Sequence, residues 1–197
     1  MKKRILIIVV LLIYNISFSQ SKITESNKIE SLIQVWGLLK YKHPSVSKGN
    51  VDFDKEFIRK YNKIKAIQTQ EEFNSELSSW IKSFNSKKEK IKIKPRTSSK
   101  LFTKNEDYSW ITNSNFHSEL IQQLNQLKNN TNYGKHYGFV NKMSSSVDFN
   151  NDKKFIGFDS EKESHRLLFL ASFWNKMRYW NINIYLTNTK WNAVLPA

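Results

Sequence analysis

The chain has 197 residues, no cysteine and a formal net charge of +15. That length supports one domain or two small ones, and the missing thiols exclude disulfide bracing and a lipid-modified N-terminal cysteine. Stability must come from a buried core, for which 13 Phe, 8 Tyr and 6 Trp supply large apolar areas.

Lys2, Lys3 and Arg4 form a positive n-region, and Ile5 to Ile16 is a nearly unbroken apolar run. Ser17 and Ser19 place small residues three and one positions before a cut ahead of Gln20. This is the layout of a secretory signal peptide, so residues 1–19 are expected to be removed near Ser19/Gln20 on export to the periplasm or the extracellular space. The apolar run is shorter than the roughly 20 residues that a bilayer span needs. No second apolar stretch approaches that length, so no transmembrane span is expected after cleavage. Without the n-region, 29 basic residues face 17 acidic ones, a charge of +12. An exported chain meets little nucleic acid, and its lysines are scattered, so no nucleic-acid partner is expected.

Five segments carry helical periodicity. Ile29, Leu32, Ile33, Trp36, Leu39 and His43 recur at spacings of three and four on one apolar face, which Pro44 ends. Phe53, Phe57, Tyr61 and Ile64 repeat the pattern behind a cap at Asp52. Thr69 and Glu72 have capping-box spacing ahead of Phe73, Leu77, Trp80, Ile81 and Phe84. These three make a first helical part, 28–84. Residues 85–112 are polar and basic and read as linker or loop. Their dense run, Lys87 to Lys94, reads as a solvated loop or lysine-guarded edge strand, or as a patch for anionic cell-surface polymer or lipid. A second helical part, 113–197, opens with a helix over about 115–128 through Phe116, Leu120, Ile121, Leu124 and Leu127. Around 129–158 the pattern turns irregular and suits short strands or a hairpin. The longest helix, about 160–181, carries Leu167, Leu170, Ala171, Trp174 and Met177. The fold class is therefore mainly α, helical hairpins with a small irregular or β segment.

Shifting the sequence by 138 residues aligns Leu32, Val35, Trp36, Lys40 and Tyr41 with Leu170, Phe173, Trp174, Arg178 and Tyr179. Beyond a loop of equal length, Phe53, Asp54 and Phe57 fall on Trp191, Asn192 and Leu195. The shared content is an amphipathic helix, a loop and an aromatic–Asx helix start, which reads as a duplicated helix-hairpin. The two hairpins are expected to bury Trp36 and Trp174 against each other.

Val35-Trp36-Gly37-Leu38-Leu39-Lys40-Tyr41-Lys42-His43-Pro44, followed by Phe53-Asp54, resembles a motif near the start of secreted S41-family serine peptidases, the C-terminal-processing or tail-specific proteases. Arg166-Leu167-Leu168, Phe173-Trp174-Asn175, Tyr179 and Trp191-Asn192-Ala193-Val194-Leu195-Pro196 resemble a second motif of those proteins. Asp148-Phe149-Asn150-Asn151 looks like the aromatic–Asx turn between the two. The resemblance covers most of 29–196. It implies a helical N-terminal region that precedes the PDZ-like and catalytic domains, with those domains and a peptide or protein substrate as partners. Ile182 stands where the family usually has proline, and Lys176, Met177 and Arg178 replace an apolar pair and an acidic residue. These departures imply looser packing in the second hairpin. Because the helix beginning at Trp191 reaches only its first turn by Ala197, the chain reads as a truncated piece of such a protein.

The family's nucleophilic serine and its lysine base lie downstream of both motifs, and no position here matches them, so no catalytic residue is carried over. Ser-x-x-Lys, the spacing of a Ser–Lys dyad one helical turn apart, occurs at Ser19–Lys22, Ser45–Lys48 and Ser79–Lys82. With 23 Ser and 27 Lys in 197 residues, chance alone supplies about three such pairs. His43, His117, His136 and His165 show no metal-ligand spacing. His43, next to Pro44, reads as a helix C-terminal group favoured by the dipole. Glu161 and Glu163 point to different helix faces, and Trp36, Trp80 and Trp174 sit at core spacing. No catalytic, cofactor-binding or metal residue is expected. The expected function is that of the non-catalytic N-terminal region of an exported S41-like peptidase. The alternative is a free-standing exported module that binds a protein partner or an anionic surface polymer.

Overall fold

The computed structural model describes residues 21–86, 88–93, 107–141, 143–144, 146–152 and 155–195. The expected signal peptide, Lys87, Lys94, Pro95 and Pro196 lie outside the described residues. Among those described, six α-helices and one two-stranded antiparallel sheet make a mainly α fold. None of these helices is long and apolar enough to cross a membrane.

Helix α1 spans Glu25–Lys42, and the Thr24 side chain caps it by accepting from the Asn27 N–H at 3.2 Å. Periodicity gave it one apolar face, yet every residue from Ser31 to Tyr41 is buried. A helix buried all round is the central rod of its fold. Helices α2 (Phe53–Ile64) and α3 (Gln70–Ser83) are capped by Asp52 and Thr69, whose side chains accept from the Lys55 and Glu72 N–H groups. The buried Lys28 ammonium closes the other end of α2, donating to the Lys65 and Ile67 carbonyls at 3.1 Å and pairing with Glu25 at 2.7 Å. A cation on a helix's last carbonyls satisfies orphan acceptors and opposes the dipole.

The 85–112 stretch is not wholly linker. Its far end enters helix α4 (Trp110–Asn113), and Trp110 and Ile111 are buried in the core. The Lys-rich run is an extended edge over 88–93: Ile93 bridges Asn130, the Thr131 N–H donates to the Lys92 carbonyl at 2.7 Å, and Ile91 packs on the core. Helix α5 (Ser118–Lys128) starts later than its apolar pattern, because the His117 side chain is the cap, accepting from the Leu120 N–H at 3.0 Å. Strands β1 (Phe139–Val140) and β2 (Val147–Asp148) form the expected hairpin, with Val140 opposite Val147. Helix α6 (Glu163–Trp180) makes the most extensive contact with α1, and single 3-10 turns follow at Ile184–Leu186 and Trp191–Ala193.

The 138-residue shift is expressed in space. Trp36 stacks on Phe53 at 5.8 Å and 9°, while the equivalent pair, Trp174 and Trp191, stacks at 6.3 Å and 19°. An indole N–H also ties each pair, from Trp36 to the Phe53 carbonyl at 2.9 Å and from Trp191 to the Trp174 carbonyl at 3.1 Å. Among the described residues no ring pair joins Trp36 to Trp174; each stacks on an aromatic of its own half, within one common core. The seam between the halves is made by smaller groups. A β-carbon on Gly37 would lie 1.7 Å from the Asn175 side-chain oxygen, so only glycine admits that close approach. Asn175 Nδ2 donates at 2.9 Å to the carbonyls of both Ile33 and Ala171, positions that the shift relates to each other.

Candidate functional site

Two places gather chemistry-bearing side chains. The first is a buried charge cluster beside the first hairpin. Lys40 projects from α1 with its Nζ 2.8 Å from Asp152 Oδ1 and 3.3 Å from Asp54 Oδ1. The ammonium lies over the Trp36 and Tyr137 rings, 4.5 and 4.8 Å from their centroids. Asp152 also pairs with Lys176 of α6 at 2.8 Å. Burial raises the Asp54 carboxyl above the usual aspartate value, opposed by the Lys40 charge. Burial likewise pushes the Tyr137 hydroxyl up, with Asp54 and Asp152 adding to the effect, so it stays protonated and donates to the Val51 carbonyl at 2.8 Å. Each charge faces an opposite charge at contact distance. The cluster therefore works as a brace that ties the 149–152 turn to α1 and α6, not as a poised acid or base.

The second place is a cavity of about 910 Å³. One wall is a polar stripe of α1, Asn27, Glu30, Ser31 and Gln34, at the i, i+3, i+4, i+7 spacing of a single helix face. The lining also includes Trp110 and Phe116 from the α4–α5 region, and Asp107, Arg178, Trp191 and Asn192. Its volume is in the range of roughly 300–1,000 Å³ typical of ligand sites. Glu30 sits partly buried, accepting from Gln34 Nε2 at 3.3 Å, and desolvation raises its carboxyl above the ordinary glutamate value. Asn192 Nδ2 donates to the Asp107 carbonyl at 3.1 Å, the Arg178 guanidinium donates to the same oxygen, and the Asn192 side-chain oxygen is buried without a donor among the described residues. Little in the residue pattern announces this cavity. The stripe reads as the polar side of α1, and residues 184–193 have no periodicity to follow.

The residues weighed from sequence are scattered. Ser79 and Lys82 are exposed, and Lys82 pairs with Glu119. Lys48 pairs with Glu89, while Ser45 is buried; Ser19 lies outside the described residues. His43 does end α1, but not as a cation favoured by the dipole. It is fully buried, its Nδ1 accepts from the Ser45 N–H at 3.3 Å, and desolvation lowers its pKa to about 4, against a partial rise from Asn85. His165 accepts from the Asp159 N–H at 2.9 Å between Phe155 and Phe158. Glu163 pairs with Lys65 at 2.9 Å, and Glu161 is exposed. Among the described residues no three His, Asp or Glu side chains converge as a metal set. Comparison with protein-family models, curated proteins and solved structures finds no match to this chain.

Proposed function

We propose that this chain is the non-catalytic N-terminal region of an exported S41-like serine peptidase, and that it braces the PDZ-like and catalytic domains of such a protein. The observation that carries the reading is the use made of the motif residues. Trp36, Phe53, Trp174 and Trp191 are consumed in two matching stacks, and Gly37, Tyr41, Asn175 and Tyr179 in the contact between halves. Residues used in that way make a scaffold. A second observation supports bracing. Leu32 and Val35 are fully buried on α1, but their counterparts Leu170 and Phe173 are 41% and 53% exposed on α6, beside Phe169 at 67%. That row is an apolar face of the kind that another domain covers.

The test is the reading frame beyond codon 197 together with an assay. A downstream PDZ-like segment and a Ser/Lys pair, with casein hydrolysis only when they are attached, would support the reading. Casein turnover that co-purifies with residues 20–197 alone would sink it. A second reading is a free-standing exported module, whose apolar α6 face would meet a protein partner or whose excess of 29 basic over 17 acidic residues without the n-region would draw an anionic polymer. A stop codon with nothing related downstream, and salt-sensitive binding to polyglutamate, would favour that one.

A further inference from the structure

The cavity beside α1 is polar without a net charge. Glu30 and Asp107 balance Arg178 and Lys190 around it. Arg178 is also engaged by the chain itself, its guanidinium 5.1 Å from the Tyr108 ring centroid and donating to the Asp107 carbonyl. More than half of the lining is neutral amide and hydroxyl side chains, drawn mainly from α1, from residues 109–115 and from residues 185–192. Among the described residues the side chains of Asn27, Ser31, Asn113 and Asn188 have no hydrogen-bond partner. Ser31 is the telling one. It is only 7% exposed, on a helix buried all round, yet no protein group meets its hydroxyl. Buried hydroxyls are ordinarily hydrogen-bonded, so the partner of Ser31 comes from what the cavity holds.

The apolar part of the lining is mainly flat. Trp191 gives one face to Trp174, at 6.3 Å and 19°, and its N–H to the Trp174 carbonyl. What it has left for a ligand is the other face. Tyr185 adds a second ring, 41% exposed, whereas the aliphatic lining is confined to Ile23, Ile184 and Ala193. Flat faces set among many neutral donors and acceptors suit a ligand with hydroxyls around its rim and C–H groups on its faces. A peptide would ask for aliphatic pockets for its side chains, and an ion for unbalanced charge. Glu30, partly buried and bonded only to the neutral Gln34 amide among the described residues, is a strong acceptor for a hydroxyl. We propose that this cavity binds a neutral oligosaccharide, with a sugar ring on the free face of Trp191 and its hydroxyls bonded by Glu30, Ser31 and Asn27. A space of about 910 Å³ is at the upper end of the roughly 300–1,000 Å³ of small-molecule sites, which suits several rings better than one. The site needs no residue outside the described chain, so its failure would leave the peptidase reading standing.

The probes are maltotetraose, cellotetraose and chitotetraose, each titrated into the purified protein and followed by tryptophan fluorescence and calorimetry. The neutral peptide Gly-Asn-Gly-Ser, acetylated and amidated at its ends, is the control. At least one sugar should saturate below about 10 mM, the weak limit for specific recognition. Its affinity should change by less than about twofold between about 50 and about 500 mM salt, because a neutral ligand is not screened. Asn27→Ala and Asn188→Ala, at exposed positions that tolerate truncation, and Glu30→Gln, with an unchanged melting curve, should each weaken binding about fivefold. Phe169→Ala, on the α6 face, should leave it as it is. No saturation by any of the three sugars would overturn the proposal without recourse to a variant. So would tighter binding of the peptide, or an affinity that falls steeply with salt. Wild-type affinity in Glu30→Gln and in both asparagine variants would overturn it too, since the sugar would then sit elsewhere on the molecule.

Discussion

Tyr41 and Tyr179 touch, with ring centroids 5.0 Å apart and planes tilted by 44°, although 138 positions separate them. The shift that aligns the two hairpins maps each onto the other, and it also maps Gly37 onto Asn175, which meet one turn earlier. Residues that meet their own counterparts mark a two-fold axis between α1 and α6. The geometry is that of an isologous dimer interface drawn within one chain. Asn175 breaks the symmetry usefully, because its Nδ2 reaches the matching carbonyls of both helices, Ile33 and Ala171.

That seam can be tested by a double-mutant cycle. Gly37→Ala would set a methyl against the Asn175 side chain and force α1 and α6 apart, at about 2–3 kcal/mol. Asn175→Ala should cost about 2 kcal/mol, since it strips donors from buried carbonyls. The double variant should cost clearly less than the two added, because truncating Asn175 makes room for the methyl. Additive losses in urea unfolding would show that the helices are not in contact there.

The two tryptophans should behave alike in direction and differ in size. Trp36 is fully buried, stacked on Phe53 and bonded to its carbonyl. Trp174 is buried too, but its indole N–H has no acceptor among the described residues. Truncation to alanine should cost about 3–5 kcal/mol at each. Trp36→Phe should additionally lose a hydrogen bond worth about 1 kcal/mol, which Trp174→Phe should not. Unchanged thermal melts for both alanine variants would refute the packing of both hairpins.

Helices are legible in this sequence where one face repeats and a cap opens it, as at Asp52 with Phe53, Phe57 and Tyr61, or at Thr69. The boundary at Ser118 is not, because histidine is an uncommon cap and Phe116 extends the apolar pattern past the true start. The repeat was visible in residue types, but which groups form the seam was not. Large aromatics announce burial without saying against what, whereas a glycine and an asparagine fix the helix-to-helix contact. The charge cluster is less legible still, since Lys40, Asp54, Asp152 and Lys176 are ordinary surface residue types that only the tertiary fold brings together.

Breaking that cluster should be costly. Asp152→Ala would leave Lys40 buried with Asp54 alone at 3.3 Å and strip Lys176 of its partner. Removing one member of a buried pair costs about 3–5 kcal/mol, because the remaining charge stays desolvated. Lys40→Met should be comparably harmful, since it leaves two carboxylates facing each other. The pair Lys40→Met with Asp152→Leu should recover part of the loss. If Asp152→Ala unfolds at the same urea concentration as the parent, the 149–152 turn is not tied to the core.

His43 predicts how stability responds to acid. Its ring is held neutral, with a pKa of about 4 against an ordinary 6.5, chiefly because burial penalises the imidazolium. Above pH 6.5 neither state binds the proton, and the stability of the neutral ring is fully present. As the pH falls from 6.5 towards 4, the unfolded chain protonates His43 and the folded chain does not, so folding weakens through that window. The full loss is about 3 kcal/mol, reached near pH 4. Carboxylates with lowered pKa values, such as Glu56 and Glu76, add a further loss at lower pH. The histidine share must therefore be read as a difference. His43→Gln should be less stable than the parent at pH 7, since it gives up a fitted buried ring, yet its urea midpoint should fall less between pH 6.5 and pH 4.5. Parallel pH profiles for the two proteins would show that the ring takes up its proton inside the fold as readily as outside.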